Sequence, residues 1–223
     1  MKKIAKWAVM GMAAVVASAI TPAQAVDYYD PSDGTVKASP NATTLTTQTT
    51  LSGGWYVVPA GTTTIADRIT VSNNVNLVLC DGATLNANSG ITVAGGNSLT
   101  IWGQGGEHAV SGTSATTRGT GALNAQTPAS GDYHQTAAIG GEASGTSTGD
   151  IVINGGVIVA RGSWGSGIGR GNVAGGAVGS VTINEGHVTA SGNRGSAGIG
   201  SGAYADSCPV TISGGYVVAT GGV

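Results

Sequence analysis

Phenylalanine is absent from this chain of 223 residues, charged residues make up only 9% of it and aromatic residues 4%. Each shortage excludes something. The composition is extreme for an ordinary globular domain. Two cysteines and three histidines form no Cys/His metal pattern. The five arginines are scattered from Arg68 to Arg194, with no basic stripe of the kind that displaces counterions from a phosphate backbone, so nucleic acid is not an expected partner. No window shows the 3.6-residue periodicity of an amphipathic helix. Beyond residue 20, no run is apolar over a membrane thickness.

The N-terminus has a different character. Lys2, Lys3 and Lys6 precede an apolar run from Trp7 to Ile20, followed by Pro22 and Ala23-Gln24-Ala25. The run is about 14 residues, short of the roughly 20 that a membrane-spanning helix needs. Residues 1–25 therefore read as a secretory signal cleaved after Ala25, and the mature chain as secreted, periplasmic or surface-associated. Cleavage removes three lysines and no acid, leaving six bases against eleven acids, a formal charge of −5.

What the chain has in excess is glycine, 40 residues of it. Such a bias fits either disorder or a repeat solenoid with glycine at its corners. The repeats decide for the solenoid. Segments 151–160, 181–190 and 210–219 align without gaps, at a nearly constant spacing of about 30 residues, a period typical of solenoid units. A second element recurs between them as Ala138-Ile139-Gly140, Gly167-Ile168-Gly169 and Gly198-Ile199-Gly200. Upstream the pattern is looser: the shorter interval from Ile69 to Ile91 is the minimal unit, and Leu85-Asn-Ala87 matches Leu123-Asn-Ala125.

Period-two alternation predicts which side chains face inward. Ile151 and Ile153, Val181 and Ile183, and Val210 and Ile212 share inward columns, as do Ile158 and Ala160, Val188 and Ala190, and Val217 and Ala219. Stacked about 4.8 Å apart, they form aliphatic ladders. Asn154, Asn184 and Ser213 make a polar column after the first strand, and Cys80 is expected in the same column of an earlier unit. Cys80 and Cys208 then lie on the order of 20 Å apart, too far for a disulfide. The expected fold is all-β, a right-handed parallel β-helix with three short strands per coil. Residues 26–60, with Trp55 and Tyr56, are expected to be an N-terminal cap or linker, and residues 61–223 the repeats, ending inside a unit as a truncated array does.

The runs at 51–57, 79–85 and 97–104, with the repeated Val-Thr-Ile-x-x-Gly-x-Val-x-Ala units and their Gly-Ile-Gly elements, resemble bacterial exported β-helix repeat proteins. Those are often large and adhesin-like. The resemblance implies a surface or secreted interaction role; glycans or other cell-surface polymers are the expected partners, and no cofactor is expected.

Parallel β-helices also carry polysaccharide lyases and glycoside hydrolases, which need clustered carboxylates and a basic group. This is the alternative expectation, and the acids here are thinly spread. Asp81 and Glu185 are expected in one column but several units apart. Glu185 and His187 face the same way, with Arg161 and Arg194 after the second strands. Asp27, Asp30 and Asp33 lack the spacing of a calcium loop. No catalytic or metal-binding residue is predicted. A regular outward threonine array of the ice-binding kind is broken by Val152, Val159 and Val218. Aromatic residues outside the strands are the better signal, because sugar rings stack on exposed aromatic faces. Trp102, Tyr133, Trp164, Tyr204 and Tyr216 stand at strand ends or in loops. The ligand-binding candidates are Trp164, Tyr204, Tyr216, His187 and Glu185.

Overall fold

The computed structural model describes residues 25–131, 135–142, 147–172, 174–176 and 178–223. The expected signal lies outside the described residues except for Ala25, and so does Tyr133. Among the described residues there is no helix, and hence none long and apolar enough to cross a membrane.

The chain begins with an antiparallel hairpin of β1 (Asp27–Asp30) and β2 (Thr35–Ala38). Then come β3 (Thr43–Thr44), β4 (Thr50–Val58), β5 (Gly61–Ile65), β6 (Ile69–Leu79), β7 (Ala83–Ala87), β8 (Ile91–Val93) and β9 (Ser98–Gly103). A second hairpin, β10 (Glu107–Ala109) with β11 (Thr116–Arg118), interrupts the series. Beyond it follow β12 (Ala122–Gln126), β13 (Ile139–Gly140), β14 (Asp150–Arg161), β15 (Ile168–Gly169) and β16 (Val181–Ser191). The last are β17 (Ile199–Gly200), β18 (Val210–Ile212) and β19 (Tyr216–Thr220). All strands outside the two hairpins belong to one sheet of 15 strands, paired in parallel.

The pairing resolves into three ladders. The first joins the ends of β4 and β6 to β9, the front halves of β14 and β16, and β18. The second runs through β5, β7, β12, the back halves of β14 and β16, and β19. The third joins the fronts of β4 and β6 to β8, β13, β15 and β17. From β4 onward the chain visits the third, first and second ladders in turn, then begins again.

Alternation explains the core. Val75, Leu99, Ile151 and Val181 stand in register in the first ladder, and so do Leu77, Ile101, Ile153 and Ile183; all are at most 1% exposed. The second ladder stacks Leu85, Leu123, Ile158 and Val188 beside Ala87, Ala125, Ala160 and Ala190. The third stacks Ile69, Ile91, Ile139, Ile168 and Ile199. Each fully buried Leu or Ile contributes about 1.5–3 kcal/mol relative to exposure, so the columns hold the sheet together. In the third ladder Gly140, Gly169 and Gly200 follow the isoleucines, all with φ between 126° and 134°. A Cβ on Gly169 would lie 2.1 Å from the Gly200 carbonyl oxygen, so only glycine fits at this position, although earlier in the same column Thr92 and Thr70 stand in register with Gly140.

Two sequence expectations need correction. Cys80 is not in the column of Asn154, nor does Asp81 share that of Glu185. Leu77, not Leu79, faces Ile101, which faces Ile153, so the counterpart of Asn154 is Val78. Val75, Leu77 and Leu79 alternate and give three inward candidates; alternation alone does not say which pair lies opposite Leu99 and Ile101. Both cysteines are free thiols. Burial pushes both thiols up from their ordinary range, helped at Cys80 by the charge of Asp81.

Segment 26–60 does two separate things. Thr43 and Thr44 pair in parallel with β4, and Leu45, fully buried, joins the core cluster beside the first strands. The parallel sheet therefore reaches back into this segment. The β1–β2 hairpin instead lies against the side of the first ladder. Tyr28, 9% exposed, packs on Trp55 and Trp102 with ring centroids 4.9 and 4.6 Å away.

Candidate functional site

Where the first ladder turns into the second, the chain bends after Asn154, Asn184 and Ser213. Gly156, Gly186 and Gly215 supply the left-handed φ values the bend needs, 82° to 109°. The preceding residues are then stacked on the outside of successive strands. Asn184 Nδ2 donates to Asn154 Oδ1 at 2.8 Å, the start of the polar column predicted from sequence. Glu185 follows Asn184, half-buried.

The column forms one wall of a groove of about 360 Å³, lined by Asn154, Asn184, Glu185 and Ser213 on this side. The opposite wall is the loop of the N-terminal hairpin, Tyr29 to Ser32. That loop is pinned from several directions. Besides the Tyr28 cluster, the Arg118 guanidinium lies 4.1 Å from the centre of the Tyr29 ring, tying the first hairpin to the second. Lys37 Nζ sits 2.6 Å from Asp30 Oδ2 and 2.8 Å from Asp33 Oδ2. Ser32 donates both its N–H and its hydroxyl to Asp30 Oδ1. Hydrogen bonding to Lys37, and then to Ser32, brings the Asp30 carboxyl down to about 2.

Charge in the groove is therefore unevenly committed. Asp30 is satisfied by Lys37 and Ser32. Among the described residues, no hydrogen bond or ion pair engages the Glu185 carboxylate. Asn154 Nδ2 and Asn184 Oδ1 stay available as donor and acceptor beside it. The groove can thus accept a ligand rich in hydroxyls and hydrogen-bond donors.

The five predicted site residues fall into two groups. Glu185 lines the groove, and two residues along β16, in its second-ladder half, His187 pairs in register with Tyr216, their rings 5.2 Å apart edge to face. Trp164 and Tyr204 belong to loops flanking the third ladder. The Ser196 hydroxyl donates to the Trp164 carbonyl and accepts from the Ala203 N–H, linking the loops that carry them. Tyr204 is 77% exposed. Arg194 does not join Glu185 and His187: it lies over the Trp164 ring, 4.2 Å from its centre. Trp102 packs on Tyr28 and donates through Nε1 to Asn76 rather than facing a ligand.

A second groove, of about 320 Å³, opens where the third ladder turns into the first, lined by Asn74, Asn97, Ser98, Thr148 and Asp150 among others. Most of its polar side chains already have hydrogen-bond partners, the buried Thr148 hydroxyl being an exception. Ser98 donates to Asn74, Ser180 to Asp150, and Asn97 Oδ1 accepts the Asn73 N–H.

Sequence reasoning missed two features. Tyr29 became a wall of the groove through a hairpin that belongs to no repeat. His108, on β10, places Nε2 3.7 Å from Asp81 Oδ2, while Asp81 Oδ1 accepts the Thr120 N–H. The β10–β11 insertion that brings His108 there breaks the repeat, so no column points to it. The acids of the N-terminal hairpin form no calcium site, since Asp30 and Asp33 share Lys37; among the described residues, no group of three or more His, Cys, Asp or Glu side chains suits a metal ion. Family models, curated proteins and solved structures give no match to this chain.

Proposed function

We propose that the three ladders are the faces of a right-handed parallel β-helix with three short strands per coil, and that this scaffold serves a non-catalytic, adhesin-like interaction protein that binds carbohydrate. The cyclic order of the ladders supports the architecture. The observation that carries the function is the groove between the Asn154–Asn184–Ser213 column and Tyr29. Strand spacing repeats its polar groups about every 4.8 Å, close to the advance of one sugar ring along an extended chain. Hydroxyls meet amide and carboxylate groups there, as small polar-group clusters orient ligands in other clefts. Tyr204 offers a second, exposed aromatic face on the far loops, while one face of Trp164 is covered by Arg194.

The protein is exported and acts outside the cytoplasm. The basic, apolar and small-residue order of residues 1–25 supports this, and so does the start of β1 at Asp27, with the Val26 N–H donated to Ser39 Oγ at 3.0 Å. An exported product whose mass corresponds to a start at Val26 is the expected result. A glycan array probed with the mature chain tests the binding, with Asn184→Ala as the variant expected to lose it. Absence of binding to every glycan overturns the reading. The Asp81–His108 pair favours a second reading, a polysaccharide lyase or hydrolase. Turnover of a uronate polymer that is lost in His108→Ala would establish that instead.

A further inference from the structure

The charges around the groove narrow the ligand further, given the carbohydrate reading above. We infer that the groove takes a glycan carrying protonated amines, an amino-sugar polymer, with an amine seated on Glu185. The charged lining residues are Asp30 and Glu185, both acidic. The nearest base on the hairpin, Lys37, is held by Asp30 and Asp33. Arg118 is turned onto the Tyr29 ring and lies 3.6 Å from Glu107. A polyuronate or sulfated chain would bring more negative charge into a groove whose cations are committed, in a mature chain already at −5.

Glu185 is the distinguishing group. It is half-buried, lies beside the amides of Asn184 and Asn154, and has no partner among the described residues. A carboxylate in that setting gains most from a ligand that brings both charge and N–H donors, because charge-assisted hydrogen bonds are the stronger kind. Its neighbours complete the recognition of a sugar. Asn184 Oδ1 accepts from a hydroxyl, and Asn154 Nδ2 and the Ser213 hydroxyl donate to ring or glycosidic oxygens. A peptide amine would satisfy Glu185 but leave this stacked donor and acceptor column unused.

The test is calorimetric titration of the mature chain with hexamers of glucosamine, N-acetylglucosamine and galacturonate, and with a lysine hexamer, at low ionic strength. The glucosamine hexamer is expected to bind about tenfold more tightly than the N-acetylated one, the ratio that one hydrogen bond to a charged group supplies. Glu185→Gln should remove that preference while N-acetylglucosamine binding persists. Asp67→Asn, the same charge change at an exposed residue away from the groove, should leave it intact. Equal affinity for the two sugars, or equal losses in the two variants, overturns the amine assignment and leaves carbohydrate binding standing. A lysine hexamer that binds as well as glucosamine overturns the sugar assignment. No binding by any hexamer overturns the groove itself.

Discussion

The passes of chain through β4 to β9 differ from those through β14 to β19 in everything but their cores. In the early passes, partners in register are close in sequence, as where Ile69 faces Ile91 and Asn74 faces Ser98. In the later ones the interval is longer and nearly constant, as where Ile151 faces Val181 and Val181 faces Val210. Between the two regions Leu99 faces Ile151 across a much longer stretch of chain, with the β10–β11 hairpin inside it. The inward columns stay buried from β4 through β16; at β18 and β19 the residues keep their register, but Val210 and Ile212, expected to face inward, are exposed, because no further strand stacks on them among the described residues. Extra chain is therefore added only at the turns between ladders, and the turns carry the grooves. A scaffold of this kind separates the columns, which hold stability, from the corners, where sequence and length can vary.

The sharpest way to break that separation is at a residue serving both. Gly169→Ala is expected to abolish the cooperative thermal transition seen by circular dichroism, because its Cβ meets the Gly200 backbone at 2.1 Å. Gly96→Ala, at a turn where nothing lies within 4 Å, also takes an unfavourable φ of 81° but is expected to cost only about 1–2 kcal/mol. A result in which the two variants behave alike would show that the glycine column is not packed as described.

Next in size are the core and the buried arginines. Ile168→Ala is expected to lower unfolding stability by about 2–5 kcal/mol in urea titration, and Ile199→Ala, half-buried at the next position of the same column, by clearly less. Arg68 and Arg170 pin the turns of the two regions. Arg68 donates to Thr92 Oγ1 and to the carbonyls of Ser89, Ile91 and Ala137. Arg170, 2% exposed, donates to the carbonyls of Gly175 and Asp206. Arg170→Met removes both bonds, and because Gly175 and Asp206 are exposed and water can take over their carbonyls, each loss is expected to cost only about 0.5–1.5 kcal/mol. It should also raise proteolysis within residues 171–179 and 201–208 while the early turns stay protected, mapped by mass spectrometry of the fragments.

The smallest expected effect is on the hairpin that walls the groove. Asp30 is ordinarily a carboxyl of about 3.8, held at about 2 in the fold. A depressed pKa contributes stability that is present above the ordinary value and is lost as pH falls through the folded one. Because Lys37 and Ser32 lie in the same hairpin as Asp30, it is the pairing of β1 with β2 that should hold at pH 4 and weaken as pH approaches 2. Asp30→Asn should reduce that acid step, leaving the part carried by Asp33, which shares Lys37, and salt should weaken the hairpin pairing at neutral pH because the ion pairs are partly exposed. Amide hydrogen exchange at Tyr29 and Val36, which pair in the hairpin, reads it.

The later columns were legible in the sequence because their spacing is nearly constant and their inward residues are all aliphatic. The same rule misplaced Cys80 and Asp81, since Val75, Leu77 and Leu79 satisfy alternation in two registers, and the contacts of Gly103 and the inserted hairpin, distant in sequence, choose between them. Half of the candidate site could be read. Asn154, Asn184, Ser213 and Glu185 follow from the repeat. Tyr29 does not, because its position depends on Tyr28 docking against Trp55 and Trp102, a contact across strands far apart in the chain. His108 was equally hidden, on an insertion that obeys no repeat.

Trp55 and Trp102 lie nearly parallel, ring centroids 6.1 Å apart, with the Tyr28 ring against both. Two indoles so close couple their electronic transitions, which gives the protein an intrinsic optical signal for the state of its groove. Were the hairpin detached, the Tyr28 ring would leave, water would reach the indoles, and their emission would move to longer wavelength. Detachment of the groove wall under acid or denaturant can thus be followed in solution without any attached label.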